Sequence, residues 1–235
     1  MTGRHATTQG AKGRDSSMMD CWRDENLTEP QIETYRAEYE HLQSFVSNLP
    51  ETAVLVDAGC GDARVVARVA LGGRRYVGVD NDPKAVRAAQ EVCVGVEGAQ
   101  ILEPQDYREA LRALTPGGPI ATMCLGGTLG SFPGDEREHL QALAQSSCAV
   151  FFTVWHKSVE VLDKRIDYYR KNRLDFGVKW SEGVIVSSSW GQVRSWTQEE
   201  LVALCREALP QFECLVVETP PLAWTVLGYR ASSPR

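Results

Sequence analysis

The chain has 235 residues, 43% of them hydrophobic, with a formal net charge of −6 and a pI near 5.3. This length makes one α/β domain with a substantial core and is short for two, and the acidic balance offers no field that would gather phosphate backbones or anionic lipid, which sets nucleic acid and membranes aside as partners. No apolar run reaches the roughly eighteen residues of a bilayer crossing or makes a signal peptide's core, and the seven cysteines, odd in number and without C-x-x-C spacing, read as reduced thiols of a cytoplasmic protein.

Residues 1–20 lack apolar periodicity and read as a disordered tail ahead of one domain over 21–235. A helix is expected over 29–49, with Pro30 in its first turn and Ile32, Tyr35, Tyr39, Leu42, Phe45 and Val46 on one face. Ala53 to Val56 is an unbroken apolar run, as in a strand buried on both faces. It stops at Asp57, and Gly59-Cys60-Gly61-Asp62 makes a tight turn whose bare backbone admits a ligand, followed by helical spacing from Arg64 to Val69. A second strand, Tyr76 to Val79, ends in Asp80 and Asn81, where a carboxylate suits the two hydroxyls of a ribose. Pro83 starts a helix with Val86, Ala89, Val92 and Cys93 on its buried stripe, and Ala99 to Leu102 makes a third strand.

Asp106 then caps a helix over 107–114, and after the loop Pro116 to Pro119 a fourth strand runs from Ile120 to Leu125 and ends at Gly126-Gly127. A helix over 135–144 precedes a fifth strand, Ala149 to Trp155, with His156 and Lys157 at its tip. The region 157–196 breaks the βα rhythm: a charged helical run from Val159 to Leu174 leads into a hairpin that turns near Gly191. Thr197 to Glu200 is a capping box, and two strands at 212–218 and 222–229 are too close for a crossover helix and must pair antiparallel.

The pattern D-x-G-x-G at Asp57, Gly59 and Gly61, joined to an acid at the end of the next strand, resembles the class I S-adenosylmethionine (SAM)-dependent methyltransferases. The dinucleotide fingerprint fits less well, because Arg64 stands where a third glycine or alanine belongs. The resemblance implies a doubly wound, seven-stranded α/β sheet ordered 3-2-1-4-5-7-6 with its last strand antiparallel, and SAM as cofactor. It also implies that Asp57, Gly59, Cys60 and Gly61 hold the methionine part, Asp80 and Asn81 the ribose, and Asp106 with Tyr107 the adenine. Cys124, Leu125 and Gly126 would then face the transferred methyl. Ala63 replaces the third glycine of some members. Cys124-Leu125-Gly126-Gly127 lacks the Pro-Pro-aromatic tract of nucleic-acid amino-methyltransferases and looks nearer to the Leu-Gly-Asn of small-molecule N-methyltransferases, with Gly127 in place of the asparagine.

In such a family the inserted β-hairpin forms a lid over a small-molecule substrate. Trp180, Trp190 and Trp196 are its flat apolar surfaces, with Tyr35 and Tyr39 reaching from the N-terminal helix, although all of these also suit plain packing. His156 is a candidate general base because imidazole titrates near neutrality, and Tyr168, Tyr169 and Asp167 follow it. The dispersed histidines have no metal-ligand spacing. Three readings stay open: a methyltransferase of a small-molecule nitrogen, oxygen or carbon, acting as monomer or homodimer; a non-catalytic SAM-binding module; and a nicotinamide-dependent oxidoreductase.

Overall fold

The computed structural model describes residues 23–114, 117–188 and 191–231; the expected 1–20 tail, Pro116 and Trp190 lie outside the described residues. Strand β1 (Val54–Ala58) is buried along its whole length between β2 (Arg75–Val79) and β4 (Ile120–Cys124), both parallel to it. β3 (Ala99–Ile101) pairs with β2, and β5 (Ser147–His156) with β4. β10 (Ala223–Arg230) runs antiparallel to β5 and to β9 (Phe212–Thr219). The order β3-β2-β1-β4-β5-β10-β9 is therefore the expected 3-2-1-4-5-7-6 arrangement with its reversed strand.

Successive side chains of a strand point to opposite faces, so β1 serves two cores. Val54, Val56 and Ala58 pack toward α3 (Tyr107–Ala113), α4 (Glu136–Ala144) and α6 (Gln198–Ala208), with Leu111, Leu140 and Leu201 among the contacts. Leu55 packs on the other face with Leu42, Phe45 and Val46 of α1 (Glu29–Ser47). α1 is set by a capping box between Thr28 and Gln31, and α6 by the predicted box between Thr197 and Glu200.

Three local expectations are corrected. The buried stripe of α1 is Gln31, Thr34, Glu38, Leu42, Phe45 and Val46, whereas Ile32 is 38% exposed. The helix expected over Arg64 to Val69 is a single 3-10 turn, Arg64–Ala67, because α1 already fills that core layer, where Val65 and Val69 join its side chains. On α2 (Pro83–Val92), capped by Asp82, the buried residues are Ala85, Val86 and Ala89, and Val92 stands exposed.

The insertion holds α5 (Val159–Lys171) and three antiparallel strands rather than one hairpin: β6 (Gly177–Lys179), β7 (Val184–Ser187) and β8 (Gly191–Trp196). β8 joins β5 in parallel at Trp155–Ser195 and His156–Trp196, opposite the edge that β10 occupies. β4 leaves that edge after Cys124 meets Phe152, so β8 takes over where β4 stops. The small sheet thus stands beyond the carboxyl end of β4, where ligands of open α/β sheets bind.

Candidate functional site

The turn after β1 hangs from one carbonyl, that of Val79, which accepts from the N–H groups of Gly59 at 2.8 Å and Cys60 at 3.0 Å. Gly59 and Gly61 have φ of 74° and 56°, in the left-handed region that favours glycine. A Cβ on Gly59 would stand 2.5 Å from Thr128 Cγ2. Ala63 also takes a left-handed φ of 53°, the conformation a third glycine would have supplied without strain.

Two carboxylates frame this turn. Asp80 Oδ2 accepts from Gly61 N–H at 3.0 Å and Oδ1 from Asp82 N–H at 2.9 Å, and burial raises its pKa. Asp57 is 2% exposed, and its Oδ2 accepts from the Tyr76 hydroxyl at 2.8 Å. Oδ1 is buried with no partner among the described residues. Desolvation pushes the Asp57 carboxyl up to about 7 against the pull of Tyr76, and the neighbouring charges of Glu38 and Asp80 push the same way.

A chamber of about 100 Å³ opens beside Asp57. Its walls include Tyr35, Glu38 and Tyr39 from α1, Arg64, and Leu125 and Gly126 after β4. Glu38, 1% exposed, accepts from Gly126 N–H at 2.8 Å and has its pKa raised by burial. Arg64 is held in a fork by Asp62, with Nε and Nη2 each at 2.9 Å. Two buried acids and a cation within one small chamber match both charges of an amino-acid head group.

The chamber shares Tyr35, Gly59, Gly126 and Thr128 with a larger cavity of about 370 Å³. One end of that cavity is lined by Asp80, Asn81, Gln105, Asp106 and Tyr107. Asp106 caps α3 through Arg108 N–H at 2.7 Å, and the Arg108 guanidinium, 2.9 Å away, lowers its pKa. Tyr107 stacks on Phe132 with centroids 5.1 Å apart. Its hydroxyl lies 2.7 Å from His139 Nδ1, and His139 Nε2 donates to the Pro133 carbonyl at 2.8 Å.

The other end is walled by Gln31, Tyr35, Trp155, Arg165, Tyr168 and Tyr169. Arg165 is 3% exposed; its Nη1 donates to Ser195 Oγ at 2.6 Å and its guanidinium lies 4.9 Å from the Trp155 ring centroid. Burial pulls its pKa down to about 10, still well above neutrality. Gly127 admits the Trp155 indole, because a Cβ there would come within 2.1 Å of Nε1.

Of the candidates read from sequence, Asp57, Gly59, Cys60, Gly61, Asp80, Asn81, Asp106, Tyr107, Leu125 and Gly126 line one or both spaces, as do Tyr35, Tyr39, Tyr168 and Tyr169. Four others do not. Cys124 is fully buried in the core and lines neither space. His156 follows Trp155 on β5, so strand alternation turns it to the opposite face, where its ring meets the edge of Trp224 at 4.9 Å. Trp180 is 47% exposed in the β6–β7 turn, and Trp196 is 1% exposed within the main core with Arg194 over its ring. Asp167 is exposed and pairs with Arg170.

Glu38, Trp155 and Arg165 were missed. Glu38 was discoverable from the 31-34-38-42-45 spacing, which an acid completes as well as a leucine would. Arg165 lies within a strongly charged run, yet it shares the same kind of signal, because it completes the stripe of Val161, Leu162, Tyr168 and Tyr169.

Neither a protein-family model nor a curated protein sequence matches the chain. Solved structures do. Magnesium protoporphyrin IX methyltransferase from Synechocystis PCC 6803 with bound SAM aligns with a TM-score of 0.60 at 16% identity, covering 92% of each chain. A SAM-dependent methyltransferase from Clostridium acetobutylicum aligns at 0.56 and 11% identity, over 83% of this chain and 92% of that one. The mitomycin 7-O-methyltransferase MmcR aligns at 0.56 and 15%, over 85% of this chain and 54% of its own. The chain therefore has the fold of the class I SAM-dependent methyltransferases.

Proposed function

We propose that the chain binds SAM across the two joined cavities and transfers its methyl group to a small molecule. The observation that carries this reading is the buried Oδ1 of Asp57, without a partner among the described residues, on a side chain that borders the chamber together with Glu38 and Arg64. A buried acceptor without a donor is rare in native folds, and an ammonium would supply the donors. The methionine head group would sit there, with Asp57 and Glu38 toward its ammonium and Arg64 toward its carboxylate. The adenosine would lie in the larger cavity, with its ribose at Asp80 and its base between Asn81 and the Asp106–Tyr107 edge.

A bound SAM would supply an already activated methyl on its sulfonium. What remains for the protein is alignment and exclusion of water. Tyr35 sits where the two spaces meet, and burial pushes its phenol up to about 12. Burial raises Tyr169 as well. Near neutrality both therefore stay protonated and act as hydrogen-bond donors that orient an acceptor, not as bases. The insertion over 157–196 supplies Arg165, Tyr168, Tyr169 and Val193 to the acceptor end, and in this reading it is the substrate wall.

Thermal shift and calorimetry with SAM, S-adenosylhomocysteine and NAD test the reading. Stabilisation by the first two and none by NAD is the expected result; stabilisation by NAD alone would overturn it. Methyl transfer from labelled SAM to an acceptor then separates an enzyme from a binding module.

A further inference from the structure

Arg165 is a buried cation facing a cavity, and its neighbours are all neutral. Its Nη1 donates to Ser195 Oγ, the Tyr169 hydroxyl is a second hydrogen-bond partner, and the Trp155 ring lies against its guanidinium face. Among the described residues, no carboxylate lies within ion-pair distance of it. A buried guanidinium does not escape by losing its proton, and a charge removed from water without a counter-charge is destabilising. The exposed Arg108 and Arg137 are each forked onto an aspartate two residues away, and Arg64 in the smaller chamber is likewise paired with Asp62. Arg165 instead keeps N–H groups for something that enters the cavity, and α5 carries it there from within the insertion that walls the acceptor end.

The remaining walls specify the rest of the guest. Trp155, Tyr168 and Tyr169 offer flat aromatic surfaces, and Tyr35 and Gln31 offer polar ends. We propose that the methyl acceptor is an aromatic acid whose carboxylate pairs with Arg165 while its ring lies along Trp155 and the two tyrosines. This rests on the methyltransferase reading, because it assigns the cofactor to the remainder of the same cavity. Arg165 is then a binding and orienting residue: it holds the acceptor's far end and so aims the nucleophilic atom at the mouth of the smaller chamber near Gly126. The fork of a guanidinium matches a carboxylate in two parallel hydrogen bonds, which a lysine cannot reproduce.

The experiment titrates the full chain, saturated with S-adenosylhomocysteine, with benzoate, 4-hydroxybenzoate and indole-3-acetate, and with the matching amides, by calorimetry. At least one acid should bind 10-fold or more tighter than its amide. Arg165→Met should bring that acid-to-amide ratio near one, Arg165→Lys should restore part of it, and both should keep S-adenosylhomocysteine affinity within about twofold. Ser195→Ala keeps the charge and removes one anchor, so it should lower the acid-to-amide ratio below that of wild type, and this comparison serves if the methionine variant does not fold. Amides binding as well as acids, no acid binding at all, or an unchanged ratio in Arg165→Met would each overturn the proposal. Failure of S-adenosylhomocysteine itself to bind would overturn the methyltransferase reading instead, so the two failures are told apart.

Discussion

Replacing Asp57 by Asn separates a carboxylate kept for a ligand from one kept for the fold. In the folded chain burial holds the Asp57 carboxyl at about 7, against an ordinary 3.8. The folded state therefore binds more protons than the unfolded one between these values, so the stability from this group is full below 3.8 and is lost as pH rises through about 7. Integrating over pH 5 to 8 gives a loss of about 2 to 3 kcal/mol in the wild type that a non-titrating amide does not suffer. Asn keeps an oxygen for the Tyr76 hydroxyl but puts N–H groups where Oδ1 has no partner, a cost of about 1 to 3 kcal/mol that is the same at both pH values.

Urea denaturation of both proteins without ligand should thus show Asp57→Asn gaining about 2 to 3 kcal/mol on wild type as pH goes from 5 to 8. Calorimetry at pH 8 should show the opposite for SAM. Losing a charge-assisted hydrogen bond to the ammonium costs about 1.5 to 3 kcal/mol, or roughly 10- to 150-fold in affinity. In the wild type, SAM affinity should rise from pH 5 toward 7 as Asp57 ionises. A variant with wild-type SAM affinity and a stability difference that does not change with pH would refute both the burial argument and the assignment of this carboxylate to the methionine ammonium.

Asp80→Ala should weaken SAM binding by about 1.5 to 3 kcal/mol in calorimetry while the far-ultraviolet circular dichroism stays that of wild type; unchanged affinity would remove Asp80 from the ribose. His156→Ala should leave the turnover number within about threefold of wild type and cost only the edge contact with Trp224, about 0.5 to 1.5 kcal/mol in urea denaturation; a 100-fold fall in turnover would return the ring to the chemistry. Trp196→Ala should destabilise the chain by about 3 to 5 kcal/mol, whereas Trp180→Ala should stay within about 0.5 kcal/mol of wild type. Equal effects of the two tryptophan changes on thermal melting would contradict their different surroundings.

The order of elements and the glycine-turn end of the candidate site were legible because they depend on short-range chemistry. A strand buried on both faces shows as an unbroken apolar run, a left-handed turn shows as glycines, and a helix start shows as a cap. Asp57, Gly59, Gly61 and Asp80 each lie within two residues of such a signal, so their common location at the strand tips follows from the βα alternation alone. The antiparallel β9–β10 pair followed from the shortness of its connection.

The Trp155–Arg165 end of the larger cavity was decided only by tertiary structure. Whether Trp155 or His156 faces the cavity depends on the phase of β5, and an apolar run that is buried on both faces gives no phase to read. Trp180 and Trp196 look alike in composition, yet the pairing of β8 with the tip of β5 buries the second and leaves the first in a turn. The missing helix after the glycine turn reflects competition for one layer of core, won by Leu42, Phe45 and Val46 of α1. Arg165 shows the same dependence: the stripe of Val161, Leu162 and Tyr169 marks its face of α5 as buried, but its neighbours come from β5, β8 and its own helix, three segments joined only by folding.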